Sequence, residues 1–193
     1  MNLLSKIFKQ RYSWLGLIVF ALGISNVALI WQNLQMRSQL QQNEPQKLEI
    51  GDRIQNFSAK GLKGESIEIN FSENSKKRFL FFFTSTCPYC KEQFPDWKEL
   101  ILRAKDKNIE IFGIVSESEK NAEIEKYLDS FGCGTKSETP LQILFVSNKI
   151  LQDNKLTLTP TTILLSGDGQ VERNWTGKWK ESDKTLAMAQ LKN

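Results

Sequence analysis

The stretch that most constrains this chain is Phe79-Leu80-Phe81-Phe82-Phe83, which runs through Thr84-Ser85-Thr86 into Cys87-Pro88-Tyr89-Cys90. Successive side chains of a strand point to opposite faces, so a strand apolar at every position has to be covered on both sides. A sheet with helices packed against it is the expected solution. The next element reads as a helix. Pro88 suits a first helical position, where its missing N–H costs nothing, and Phe94, Trp97, Leu100, Ile101 and Ala104 then fall at helical spacing. Cys87 therefore stands at a helix N-terminus, where unpaired N–H groups and the positive end of the helix dipole favour thiolate over thiol. Cys90 follows one turn later on the same side. Two thiols so placed open a foreign disulfide and then close on each other.

Strand, Cys-Pro-Tyr-Cys and a helix carrying Pro95 five residues after the second cysteine resemble the thioredoxin superfamily, whose active-site helix is kinked by a proline at that offset. Two blander readings stand beside it: a half-site for structural zinc, and a structural disulfide. Zinc usually takes four Cys or His ligands, and this chain holds three Cys and no His.

The rest of the chain fits the same order. Leu48 to Asp52 lead to Phe57, and Gly61-Leu62-Lys63-Gly64 then separate two short strand candidates, the second over residues 65–69. This lead-in hairpin resembles the membrane-anchored extracytoplasmic TlpA/ResA-like branch, although Gln55 stands where that branch commonly has proline. Ile109 to Val115 predict a core strand, residues 119–131 a helix with Ile124, Tyr127, Leu128 and Phe131 on one face, and residues 142–146 a further strand, followed by a helical turn over 147–152. Strand and helix in alternation imply parallel βαβ pairing. Pro160 opens the run Thr161 to Leu165; read alone, it is an ordinary trans proline at a strand entrance. The resemblance implies instead that Thr159-Pro160 is a cis bond facing the cysteines, with the Thr159 backbone offering hydrogen bonds to a substrate strand. Gly167-Asp168-Gly169 predict a hairpin into residues 170–175, and a helix over 182–191 closes the chain. The expected fold class is α/β and thioredoxin-like, a central mixed sheet flanked by helices, with an N-terminal β-hairpin and one preceding transmembrane helix.

That helix is legible from charge. Residues 12–36 carry none, and Trp14 to Trp31 are dense in apolar side chains, enough to cross a bilayer core that needs about 20 residues. A cleaved signal peptide would have a shorter apolar region and a better small-x-small site than Asn26-Val27-Ala28. Lys6, Lys9 and Arg11 precede the run without an acidic residue, which predicts a cytoplasmic N-terminus and an extracytoplasmic domain. With Arg37 they carry the whole net charge of +4, since the other 22 basic residues balance 22 acidic ones. A neutral domain argues against nucleic acid as a partner. Residues 32–46 hold six glutamines and read as a polar tether, with a helical part next to the membrane as the alternative. The expected organisation is a cytoplasmic N-terminus over 1–11, an anchor over 12–33, a linker over 34–47 and a thioredoxin-like domain over 48–193.

The resemblance implies that Cys87 and Cys90 are catalytic, that Pro88, Tyr89, Thr159 and Pro160 meet substrate, and that no cofactor is needed beyond the redox disulfide. The partners it implies are extracytoplasmic protein thiols and disulfides, with a membrane or extracytoplasmic electron donor. Two departures concern the proton acceptor for Cys90. Thioredoxin keeps a carboxylate six residues before its first cysteine, where Phe81 stands here. Several of the anchored branch have a glutamate three residues after the second cysteine, where Gln93 stands, leaving Glu92 or water as the substitute. Cys133, between Gly132 and Gly134, is either a small packing residue or a resolving thiol. Thr84 lies three residues before Cys87 as in thiol peroxidases, but their proline four residues before that threonine is here Leu80. Histidine is absent, which removes Cys-His and Ser-His catalysis. Three function classes follow: thiol-disulfide exchange on other extracytoplasmic proteins, thiol peroxidase, and a thioredoxin-fold binding module with a structural disulfide. The anchor and hairpin favour the first, in the reducing direction.

Overall fold

The computed structural model describes the backbone of residues 3–42, 47–71 and 76–192, and the side chains of 16–37, 47–71 and 76–191. Lys6, Lys9, Arg11 and Trp14, read above as orienting the anchor, have side chains outside that set, as do residues 43–46 of the expected linker. The chain separates into two units, Met1–Pro45 and Gln46–Asn193.

The first unit is one helix, α1 (Leu3–Gln42). Within it Gly16–Arg37 is a 22-residue stretch of mean hydropathy 1.7, none of it buried. At 1.5 Å per residue this spans roughly 33 Å, against a hydrocarbon core of about 30 Å. The helix continues to Gln42, so most of the glutamine-rich stretch expected as a tether is helical. Glutamine and leucine are good helix formers, and no glycine or proline interrupts the run before residue 43.

The second unit holds β1 (Phe57–Lys60), β2 (Ser66–Ile69), β3 (Lys77–Phe82), α2 (Pro88–Ala104), β4 (Ile109–Ser116), α3 (Asn121–Ser130), β5 (Gln142–Val146), α4 (Asn148–Asp153), β6 (Thr161–Leu165), β7 (Val171–Thr176) and α5 (Glu181–Ala189). The seven strands form one sheet in the order β2-β1-β5-β4-β3-β6-β7. β3, β4 and β5 are parallel neighbours, joined by α2 and α3. β6 and β7 add an antiparallel hairpin on one side, and β1 and β2 another on the far side. Gly169 closes the β6–β7 turn with a φ of 83°, a value that favours glycine.

β3 lies in the middle and divides the core. Phe79, Phe81 and Phe83 join Phe94, Trp97 and Leu100 of α2 and Ile124, Tyr127 and Leu128 of α3. Leu80 and Phe82 point the other way, onto Leu151 of α4, Leu156 and the N-terminal residues Leu48 and Ile54. Every residue from Phe79 to Phe83 is buried, as a strand covered on both faces requires.

Candidate active site

β3 delivers the chain to Cys87. Phe83 still donates its N–H to Ile114, and Cys87 N donates to Thr84 O at 3.3 Å, a turn that swings the backbone off the sheet into α2. Pro88 then takes the first helical position, and Cys87 is the N-cap, its Sγ accepting the Cys90 N–H at 3.1 Å. Cys87 and Cys90 form a disulfide with Cα atoms 5.2 Å apart. Cys90 is fully buried, whereas Cys87 keeps 9% of its surface exposed, so an incoming reactant meets the first sulfur. Pro88 is exposed and Tyr89 is 61% exposed beside it.

The Thr159–Pro160 peptide bond is cis. Thr161, the next residue, pairs with Phe82 at the end of β3, so this bond and the turn into Cys87 leave the sheet at the same end. Pro160 is buried and Thr159 half-buried. One side-chain bond fixes the two elements: Trp97 Nε1 of α2 donates to Thr162 Oγ1 of β6 at 2.8 Å, both residues being buried. The indole also stacks on Phe81, with ring centroids 4.8 Å apart and planes within 4°.

The two positions lacking a carboxylate have distinct surroundings. Phe81 is wholly buried under Trp97. Gln93, one turn beyond Cys90, is also wholly buried; its Oε1 accepts the Trp179 N–H at 2.6 Å, while its Nε2 has no partner. Gln93 thereby ties the active-site helix to the turn between β7 and α5. Glu92 projects elsewhere: its carboxylate lies 2.9 Å from the Lys178 ammonium, on the exposed side of the helix. Residues two apart on a helix lie about 200° apart, so Glu92 is not brought to Cys90.

Cys133 is fully buried and unpaired. Burial pushes its thiol pKa up, opposed by the nearby Lys98 charge and the Thr139 hydroxyl. Lys98 is itself held by Phe131 O at 2.7 Å. Among the described residues no group of three or more His, Cys, Asp and Glu is arranged to hold a metal ion.

Beside the cysteines a cleft of roughly 360 Å³ opens between the turn before α2 and α3, lined by Ser85, Thr86, Lys91, Glu123, Lys126, Tyr127 and Ser130. Sequence reading placed Tyr127 only on the apolar face of α3. Its ring does pack there, on Phe83, Phe94 and Phe131. Its buried hydroxyl has no partner, and burial raises its pKa far above the usual phenol value.

Residues 49–189 match the Redoxin family. The chain is 27% identical to the thiol-disulfide oxidoreductase ResA of Halalkalibacterium halodurans over 179 residues, 91% of this chain and 90% of that one. It is 25% identical to the sporulation thiol-disulfide oxidoreductase A of Bacillus subtilis over 122 residues, 63% of this chain and 70% of that one. Among solved structures, a thioredoxin-family thiol:disulfide interchange protein from Chlorobium tepidum superposes with a TM-score of 0.58 at 16% identity, covering 75% of this chain and 99% of that one. StoA from Bacillus subtilis gives 0.53 at 21%, covering 69% and 95%.

Proposed function

The chain belongs to the Redoxin family, as a ResA-like member of the thioredoxin superfamily and a thiol-disulfide oxidoreductase, and from that premise we propose that it works as a membrane-anchored, extracytoplasmic reductase of protein disulfides. The observation that carries the chemistry is the Cys87–Cys90 disulfide at the N-terminus of α2, with Cys87 retaining 9% of its surface and Cys90 none.

In the reduced form, the Cys87 thiolate attacks one sulfur of a substrate disulfide and releases the other as a thiolate, leaving a mixed disulfide. Cys90, losing its proton, then attacks Cys87 Sγ. The second substrate thiolate departs and the Cys87–Cys90 bond closes. Two electrons pass from the dithiol to the substrate. The helix N-terminus favours the attacking thiolate, because the N–H groups of the first turn have no intrahelical acceptor. Cys90, behind Cys87, is reached only by the sulfur it must attack. In this reading Thr159 and Pro160, which stand at the same end of the sheet as Cys87, meet the substrate strand together with Pro88 and Tyr89. The exchange calls on no cofactor, since the reduced Cys87–Cys90 dithiol itself carries the two electrons. With Gln93 amidic and Glu92 turned to Lys178, the proton of Cys90 leaves to water.

The anchor reading rests on the unburied apolar stretch of α1 and on the cationic residues before it. A cytoplasmic N-terminus puts the enzyme outside the membrane, where a donor must return electrons to the disulfide. Direction is tested by equilibrating the full-length chain in mild detergent with glutathione or dithiothreitol buffers. A potential near about −270 mV is expected; one near about −120 mV would make the enzyme an oxidant.

A further inference from the structure

The cleft beside Cys87 contains more polar capacity than the exchange reaction uses. Four hydroxyl-bearing residues line it, Ser85, Thr86, Tyr127 and Ser130, with ammonium groups from Lys91 of α2 and Lys126 of α3. Its charges are unequally satisfied. Glu123 is already paired, 3.0 Å from Lys120. Glu119, next to the cleft, accepts the Ser85 hydroxyl at 2.7 Å. Neither Lys91 nor Lys126 has an ion-pair partner among the described residues. Tyr127 is 93% buried, taking its 7% exposure, and its hydroxyl has no acceptor. A buried hydroxyl without a partner is costly, and the group that would satisfy it here is an acceptor.

We infer that this cleft binds a carboxylate carried by the substrate polypeptide close to its disulfide. The inference rests on the exchange reaction proposed above and adds to it a preference among substrates. The location supports it. Ser85 and Thr86 precede Cys87 by two and one residues, so at about 3.8 Å between consecutive Cα atoms the cleft lies within roughly 8 Å of the attacking residue. An acidic side chain one or two residues from the target cysteine spans that distance. Neither Thr159 nor Pro160 lines the cleft, so it supplies a contact beyond the one proposed for those two residues. Two lysines attract the carboxylate, and the buried Tyr127 hydroxyl, which has no acceptor of its own, donates to it through a charged hydrogen bond.

The test uses the reduced full-length chain in mild detergent and two disulfide-bonded peptides that differ only in Glu or Gln beside one half-cystine. The expected result is a kcat/KM about fivefold higher for the Glu peptide at low salt, or about 1 kcal/mol at 1.4 kcal/mol per tenfold. Replacing both lysines, Lys91→Ala with Lys126→Ala, brings the ratio to within about 1.5-fold. Tyr127→Phe lowers it to about twofold, and Lys105→Ala, on the far end of α2, leaves it unchanged. Equal rates for the two peptides in the wild type overturn the inference while leaving the exchange reading intact. A preference for acidic over neutral small disulfides, without one for the peptides, overturns the polypeptide source. No exchange with either peptide overturns the proposed function, and this inference with it.

Discussion

Thr162→Val is the sharpest probe of how the two halves of the site are held together. The substitution keeps a β-branched residue in β6 and removes the oxygen that accepts the Trp97 indole N–H at 2.8 Å. Thr162 is 1% exposed and Trp97 is wholly buried, so no bulk water replaces the lost acceptor. A buried donor left unpaired costs about 1–3 kcal/mol, and the methyl that replaces the hydroxyl returns up to about 0.8 kcal/mol. The net expectation is a loss of about 1 kcal/mol. For a unit of this size that lowers Tm by roughly 2–4 °C. Trp97→Phe supplies the control, because it removes the donor as well as part of the ring stacked on Phe81. In that background Thr162→Val is neutral or stabilising, since the hydroxyl has already lost its donor. The sign of one substitution thus depends on a residue 65 positions away in sequence. Thermal melting of the four full-length proteins in mild detergent, followed by near-ultraviolet circular dichroism, gives the coupling energy, expected at about 1 kcal/mol. Equal shifts in both backgrounds, additive to within about 0.3 kcal/mol, would refute the view that this bond clamps α2 to β6.

Cys90→Ser should accumulate mixed disulfides between Cys87 and partner proteins in cells, visible as adducts that dithiothreitol releases; the absence of adducts from an otherwise folded variant would count against protein substrates. Cys133→Ser should leave the exchange rate within about threefold of wild type in the peptide assay, because the Cys133 thiol is buried and its pKa is raised rather than lowered. The raised values at Cys133 and Tyr127 also set a pH dependence: folding favours the protonated forms, so their contribution is complete below the unfolded values of about 8.5 and 10 and is lost progressively as pH rises from those values towards the higher folded ones. Urea midpoints should therefore fall between pH 8 and pH 10.5, and fall less in a variant combining Cys133→Ala with Tyr127→Phe. A periplasmic-type reporter fused after Asn193 should be active and a cytoplasmic one silent; the reverse would refute the topology.

The local features of the site were readable from the sequence because each depends on neighbours in the chain. Five apolar residues in a row required a strand covered twice, and Pro88 required a helix to start where Cys87 caps it, whatever the rest of the chain did. Gly167-Asp168-Gly169 likewise determined a turn by backbone conformation alone, and the absence of charge over 12–36 determined an apolar helix. What the sequence left open depends on residues far apart in it. Gln93 read only as a missing carboxylate; the fold makes it a bridge, because Trp179 arrives 86 residues later with a buried N–H to satisfy. Nothing in the sequence singled out Arg78, yet it is 4% exposed, with Glu110 accepting from its Nε at 2.7 Å and its guanidinium over the Phe71 ring. Glu92 was a plausible proton acceptor by proximity along the chain, and helical geometry turned it to Lys178 instead. Tyr127 was a core residue by periodicity, and only the approach of α3 to the turn before Cys87 placed it on a cleft. Local backbone preference is written in neighbouring residues, but the pairing of a buried donor or charge is decided by whichever distant segment packs against it, and that partner exists only once the chain has folded.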